Sequence, residues 1–236
     1  MTTMTALSSA PRRRFRSRRH IFERMSVVAT LVAVTNGYSV SKRALDLVGG
    51  TLLLICSLPL MVAIAIAIKL DDRGPILHFQ RRVGRHGSVF WFPKFRSMRL
   101  DADRIRKELM KLNHHGDSLT FKMKRDPRVT AVGRVIRRFS LDELPQLVCV
   151  ILGDMSLVGP RPALPAEVEH YSVADRRRLD VLPGLTCIWQ VSGRADVPFV
   201  GQVKLDVEYI ESQSLPLDLR LLLTTIPALV GGKGAY

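Results

Sequence analysis

The longest unbroken pattern in the chain is apolar: residues 47–68, 22 positions in all, carry no charge, with Pro59 in their middle. At about 1.5 Å per residue, such a run is long enough for a hydrocarbon core of about 30 Å. Proline removes a backbone donor and collides with the preceding turn. A broken helix is therefore predicted, with Ser57 close enough to satisfy a carbonyl freed at the bend. Lys42 and Arg43 precede the run, and Lys69, Arg73, Arg81, Arg82 and Arg85 follow it. Because Lys and Arg favour the cytoplasmic side, a re-entrant, monotopic helix satisfies both flanks, whereas a span sends one set across.

Beyond the run the periods shorten. Alternation in residues 76–80 and 89–92 predicts a hairpin turning through 84–88, and charges at helical spacing over 100–112 predict an exposed helix. Residues 113–119 read as a loop, 125–128 as a turn, 141–152 as an apolar helix, 182–194 as a loop with a short strand, and 200–211 as a helix. Residues 215–230 are strongly apolar, but Pro216, Asp218, Arg220 and Pro227 argue against a second crossing. A surface-lying amphipathic segment is expected there. It could face lipid or another subunit, which leaves a homo-oligomer open. The fold class is α+β, mostly helical. Three parts are expected: an Arg-rich tail over 1–40, too poor in apolar residues to fold alone; the re-entrant helix over 41–70; and a compact body over 71–236.

Charge narrows the partners. The formal net charge is +15, and Arg12, Arg13, Arg14, Arg16, Arg18, Arg19 and Arg24 cluster against the single acid Glu23. Such a cluster favours anionic surfaces. The neighbouring apolar run makes lipid headgroups the simpler partner and nucleic acid the poorer one. No secretory signal is recognisable. Cys56, Cys149 and Cys187 have no metal or framework spacing and read as small apolar fillers. His114-His115 reads as a solvated loop pair.

The candidate chemistry lies at Ser140-Leu-Asp-Glu143, ahead of Gly159-Pro-Arg-Pro162. The first motif matches a capping box, in which Glu143 would reach back to the helix start. The same helix end would hold Asp142 ionised and attract phosphate. A carboxylate so placed could bind magnesium or attack phosphorus. Arg137 and Arg138 stand upstream, and Arg161, held between two prolines, offers a fork suited to phosphate oxygens. A structural salt bridge from Arg161 to Asp154 is the competing reading. Lys94-Phe-Arg96 is a third cationic element, or a solvated strand edge.

These residues resemble a known family. Lys42-Arg-Ala-Leu-Asp46, the Pro59-interrupted run, Lys94-Phe-Arg-Ser-Met98, Ser140-Leu-Asp-Glu-Leu-Pro-Gln-Leu147, Gly153-Asp-Met-Ser-Leu-Val-Gly-Pro-Arg-Pro162 and Pro183-Gly-Leu-Thr186 with Trp189-Gln-Val-Ser-Gly-Arg194 are, in order, similar to the bacterial sugar transferases, the monotopic phosphoglycosyl transferases. The ending Thr225-Ile-Pro-Ala228 with Gly234-Ala-Tyr236 is similar to that of enzymes starting exopolysaccharide repeat units. The resemblance implies a cytoplasmic catalytic domain held on the bacterial inner membrane by a re-entrant helix. It implies transfer of a sugar-1-phosphate from a UDP-sugar to undecaprenyl phosphate with release of UMP, the sugar being galactose or glucose. It makes Asp142 the nucleophile and a ligand of Mg2+, has Glu143 assist, and places Arg137, Arg161, Arg96 and Arg194 near phosphate and Ser57 with Pro59 at the membrane break. Two positions depart from the family pattern: Cys187 stands where glycine is frequent, and Leu58 separates Ser57 from Pro59. Two other functions remain compatible with the residues, a membrane-bound basic binding protein and a lipid glycosyltransferase releasing UDP.

Overall fold

The computed structural model describes residues 37–105, 126–193 and 197–231. The chain divides into two units, Met1–Val40 and Ser41–Tyr236. Of the first, only the opening turn of a helix is described. The Arg-rich tail, His114-His115 and Arg194 all lie outside the described residues.

Helix α1 runs over Gly37–Asp72 as one element with Pro59 inside it. The predicted break is therefore not a break in secondary structure. Pro59 cannot donate to the Ile55 carbonyl, and Ser57 Oγ donates not to that carbonyl but to that of Leu54, at 3.1 Å. The basic flank also differs from expectation. Lys42 Nζ donates to Asp218 at 2.8 Å, to the Tyr209 hydroxyl at 3.1 Å and to the Val158 carbonyl at 3.0 Å. Arg43 donates to the Val150 and Ile151 carbonyls at 2.7 and 2.8 Å. Asp46, also buried, accepts from Ser156 Oγ and the Leu157 amide. These residues fasten the start of the helix to the protein body, which periodicity could not reveal. At its other end, Ile64 and Ile68 pack with Phe95 and Ile136. Between the two attachments, Leu52, Ile55, Leu60 and Val62 remain exposed. The helix is long and apolar enough to cross a membrane, and the described chain is consistent with a membrane-anchored, mostly helical domain.

Asp218 is fully buried against Lys42. Removing one partner of a buried pair leaves an uncompensated charge, at about 3–5 kcal/mol. Lys42→Met is accordingly expected to lower the melting temperature of the detergent-purified protein sharply. Lys42→Met/Asp218→Asn should recover part of that loss.

The predicted hairpin forms. Strand β1 (Leu77–Val83) pairs antiparallel with β2 (Val89–Phe95), with Val83 opposite Val89 and Leu77 opposite Phe95. His86 and Gly87 turn the chain at φ 55° and 78°. Phe90 and Phe92 meet edge to face inside the core, while Trp91 lies outside under the Arg81 guanidinium. Of the helix expected over 100–112, only the part before residue 106 is described, and 102–105 are helical.

Helix α2 (Ala131–Arg138) begins at Thr130, whose hydroxyl accepts from the Gly133 amide at 2.9 Å, a standard N-cap. The single helix expected over 141–152 divides into a 3-10 segment, Leu141–Gln146, and α3, Leu147–Leu152. Pro145, without an amide hydrogen, lies in the first piece. Gly153 at φ 87° ends the second, as left-handed C-caps do.

Strand β3 (Ser156–Val158) pairs parallel with β4 (Gly184–Thr186). Only glycine fits at 184, because a Cβ there would lie 2.0 Å from the Gly159 nitrogen. Around this pair run α4 (Pro165–Glu169), α5 (Ile188–Ser192), α6 (Phe199–Ser212) and α7 (Leu215–Gly231). Phe92, Leu147, Val150, Met155, Leu157, Tyr209 and Leu221 form the centre of the core. Helix α7 turns its acid Asp218 and Leu221 inward and leaves Leu219, Leu223 and Ile226 exposed. The exposed face of the expected amphipathic segment is largely apolar, and Lys42 holds its one acid inside.

Candidate active site

The two acids open the 3-10 segment immediately after α2. Ser140 is left-handed, at φ 54° and ψ 25°, and its hydroxyl makes no capping bond. The capping box read from the sequence is thus not formed. A non-glycine residue in this region is strained by about 1–2 kcal/mol. Ser140→Gly should therefore raise the melting temperature while leaving the acids in place, which thermal denaturation can measure.

The turn frees Glu143 from the helix start and aims it across the cleft. Glu143 Oε1 accepts from Lys94 Nζ at 3.1 Å and from Arg161 Nη2 at 2.7 Å. Burial alone would disfavour its charge, but the guanidinium and the ammonium together hold its carboxyl well below the usual carboxylate range. Glu143, and not the Asp154 of the competing reading, is the acid that pairs with Arg161. Asp142 is in the opposite situation. It is 9% exposed, and no described group hydrogen-bonds to its carboxylate. Burial, and then the neighbouring charge of Glu143, push it up to about 6. One acid is clamped and ionised; its neighbour feels the charges of Lys94, Arg137 and Arg161 but forms no ion pair with a described residue.

The protein holds Arg161 rigidly. The Gly184 amide donates to the Pro160 carbonyl at 2.8 Å, Arg82 Nη1 to the Pro162 carbonyl at 2.9 Å, and the Val83 amide to the Ala163 carbonyl at 2.9 Å. The Gly-Pro-Arg-Pro turn is thus pinned between β4 and the hairpin.

Asp142, Glu143, Arg137, Arg161, Arg82 and Lys94 line one cleft of about 1000 Å³. The Arg137 carbonyl accepts from the Ser140 amide at 3.1 Å, while its guanidinium makes no hydrogen bond or ion pair with another described residue and acts on Asp142 by its charge. One wall of the cleft is apolar, built by α1 and α7; another carries Arg178, Trp189, Gln190 and Gln202. Ser57 lines the cleft as well, whereas Pro59 does not.

Arg96 needs correction. It is not among the cleft residues; it is buried and ion-paired with Asp72 at the end of α1. Strand β2 ends at Phe95, so the alternation that would have carried Arg96 to the face of Lys94 stops one residue short. Lys94 is the cation that this motif contributes. Arg82 was missed except as a flanking charge; its period-two relation to Gln80, which accepts from it at 3.1 Å, was the available signal. Cys187 is buried and donates to Gln190 Oε1 at 3.1 Å.

A cleft that gathers cations around one clamped acid and one acid without an ion pair suits an anionic ligand. The bacterial sugar transferase family matches residues 37–232, and the chain belongs to it. It is 43% identical over 218 residues to the galactosyl transferase CpsE of Streptococcus agalactiae, covering 91% of this chain and 48% of that protein. It is 42% identical over 200 residues to the exopolysaccharide production protein ExoY of Sinorhizobium fredii, covering 84% and 88%. It is 42% identical over 198 residues to the undecaprenyl-phosphate galactose phosphotransferase of Salmonella typhimurium, covering 83% and 41%. The chain thus spans about half the length of the streptococcal and Salmonella relatives and most of ExoY.

Proposed function

We propose that this protein transfers a hexose-1-phosphate, galactose or glucose, from a UDP-sugar to undecaprenyl phosphate, and so starts an exopolysaccharide or related glycan. The observation that carries the reading is the unlike pair: Asp142 open to the cleft beside Glu143, which Lys94 and Arg161 hold fixed. A carboxylate oxygen of Asp142 attacks the phosphorus next to the sugar. The bond from that phosphorus to the bridging oxygen breaks, and UMP leaves with the electron pair. The phosphate oxygen of the lipid then attacks the same phosphorus, the Asp142–phosphorus ester breaks, and the carboxylate is restored. An acyl phosphate suits the intermediate because it stays reactive toward the second nucleophile.

Both reactants are anionic. Arg161, Arg137, Arg82 and Lys94 reduce their repulsion in a cleft partly shielded from water, where such charges count most. Glu143, already ionised, positions Arg161 and Lys94, and through these cations it orients the acceptor phosphate. A single lining carboxylate suits magnesium, which takes one or two carboxylates with substrate phosphates, and Asp142, which makes no ion pair with a described residue, would hold it. When bound, the metal supplies charge neutralisation of the diphosphate and a better leaving group.

The membrane arrangement we favour is monotopic, with the body on the cytoplasmic face. Its support is that Asp46 and Ile68, at opposite ends of the apolar run, both pack on the same body, so a crossing would have to separate groups that are in contact.

The test is a UDP-hexose labelled on the phosphate next to the sugar, incubated with undecaprenyl phosphate. Label in the lipid with release of UMP is expected. Release of UDP, with the label left in water, would overturn the reading.

A further inference from the structure

We propose that the outer face of the β1–β2 hairpin rests in the headgroup layer of the bilayer that receives α1, a second membrane contact apart from the long helix. Such a contact rests on the membrane arrangement favoured above and is independent of the transfer reaction.

Alternate residues of a strand share a face. One face of the hairpin, with Arg82, Phe90, Phe92 and Lys94, is spent on the core and the cleft. The other carries Phe79 and Arg81 on β1 with Val89 and Trp91 on β2. Among the described residues that face stays open: Phe79 is 54% exposed, Val89 57% and Trp91 59%. Arg81 stands opposite Trp91, and Phe79 is the diagonal neighbour of Trp91 across the ladder. Exposed apolar side chains scattered singly need no explanation, but a group of large ones on one sheet face calls for an occupant.

Continuity, charge and side-chain chemistry all favour lipid. The same face runs on to Leu77 and Phe95, paired at the open end of the hairpin, where it packs against Ile64 and Ile68 of α1. On that half of α1, Val62, Ile66 and Leu70 are exposed. The open apolar surface of the helix and that of the hairpin thus meet at one joint. Exposed Lys69, Arg73, Arg81 and Arg85 border them, against one exposed acid, Asp71, over residues 69–91. A second copy of the chain would bring the same cations against these, whereas anionic headgroups supply the opposite charge. Trp91 carries the Arg81 guanidinium over its ring at 5.2 Å. An indole with an apolar body and one polar N–H, beside an arginine that buries its stem and keeps its head in water, suits the boundary between acyl chains and water.

The chain has two tryptophans, so Trp189→Phe leaves Trp91 as the single reporter. The difference between wild type and Trp91→Phe reads the same residue with the cleft untouched. In vesicles of phosphatidylethanolamine and phosphatidylglycerol, Trp91 emission should be shielded from acrylamide and lost to lipid brominated near the carboxyl end of its acyl chains. Lipid brominated near the methyl end should quench it less, because an apolar face at an interface sits only about 5–10 Å into the headgroup boundary. Phe79→Ser/Arg81→Glu, at two exposed positions, should lessen the shallow quenching at an unchanged melting temperature.

Acrylamide access without bromolipid quenching would overturn the contact by leaving the face in water. Shielding without bromolipid quenching would overturn it in favour of protein, a second copy if the shielding is lost on dilution into empty vesicles and a segment of the same chain if it persists. Leu52→Trp in a Trp91→Phe/Trp189→Phe background tests the arrangement beneath it. A reporter there that no brominated lipid quenches would overturn the membrane seat of α1 itself.

Discussion

Asp142→Asn is expected to reduce turnover by at least about a thousandfold, the scale at which loss of a nucleophile is felt in enzymes that work through a covalent intermediate. Asparagine preserves size and the backbone of the 3-10 segment, but its amide does not form the phosphoryl ester. Glu143 does not replace it, because Arg161 and Lys94 already engage its carboxylate. Stability should move the other way. Burial raises the folded-state pKa of Asp142 to about 6, so the folded protein disfavours its charge. The penalty is absent below the unfolded carboxyl pKa of about 4, where both states are protonated, and complete above about 6. At neutral pH the asparagine variant should therefore melt no lower than wild type while losing UMP release. Intact-protein mass spectrometry after mixing with donor alone completes the test. Wild type should gain one hexosyl phosphate and the variant none; a normal rate in Asp142→Asn would place the nucleophile elsewhere.

Arg161→Met should be nearly as severe, and should damage both function and fold. Its guanidinium lies 2.7 Å from Glu143, in a turn that the hairpin and β4 fasten on both sides. Without it, a buried carboxylate keeps only Lys94, and breaking such a pair costs about 3–5 kcal/mol. Activity should fall at least about a hundredfold, because the fork no longer meets phosphate. Arg161→Lys should recover stability better than rate, since an ammonium neutralises Glu143 but cannot present two parallel donors. Arg161→Met/Glu143→Gln separates the two effects: thermal stability should return toward wild type while UMP release stays low. Recovery of activity in the double variant would show that Arg161 acts only by satisfying Glu143.

Much of the scaffold was legible because single segments decide it. The hairpin alternation and the helix over residues 200–211 each formed, and the uncharged run became a helix, though without the expected break in secondary structure. The acids and the Gly-Pro-Arg-Pro turn could be singled out because few other purposes suit those residues together. Less legible was whatever depends on distant partners. Ser140-Leu-Asp-Glu143 has the sequence of a capping box, yet Lys94 and Arg161 compete for Glu143 from 49 and 18 residues away, and the local motif loses. Lys42 was read as a charge for the membrane surface, although Asp218, 176 residues on, claims it. Arg96 was grouped with Lys94 by two-residue spacing, but the strand ends between them. In each case a charged side chain chose a tertiary partner over its local one.

In the monotopic arrangement proposed above, the fastening of α1 through Lys42, Arg43 and Asp46 decides how the protein would ride on its bilayer. With the anchor and the acids belonging to one rigid piece, the height of the reacting centre above the acyl chains is set by the protein and not by a flexible tether. Lipids that make the bilayer thicker or thinner should therefore shift the reaction rate, as a hull of fixed draught responds to the depth of water beneath it.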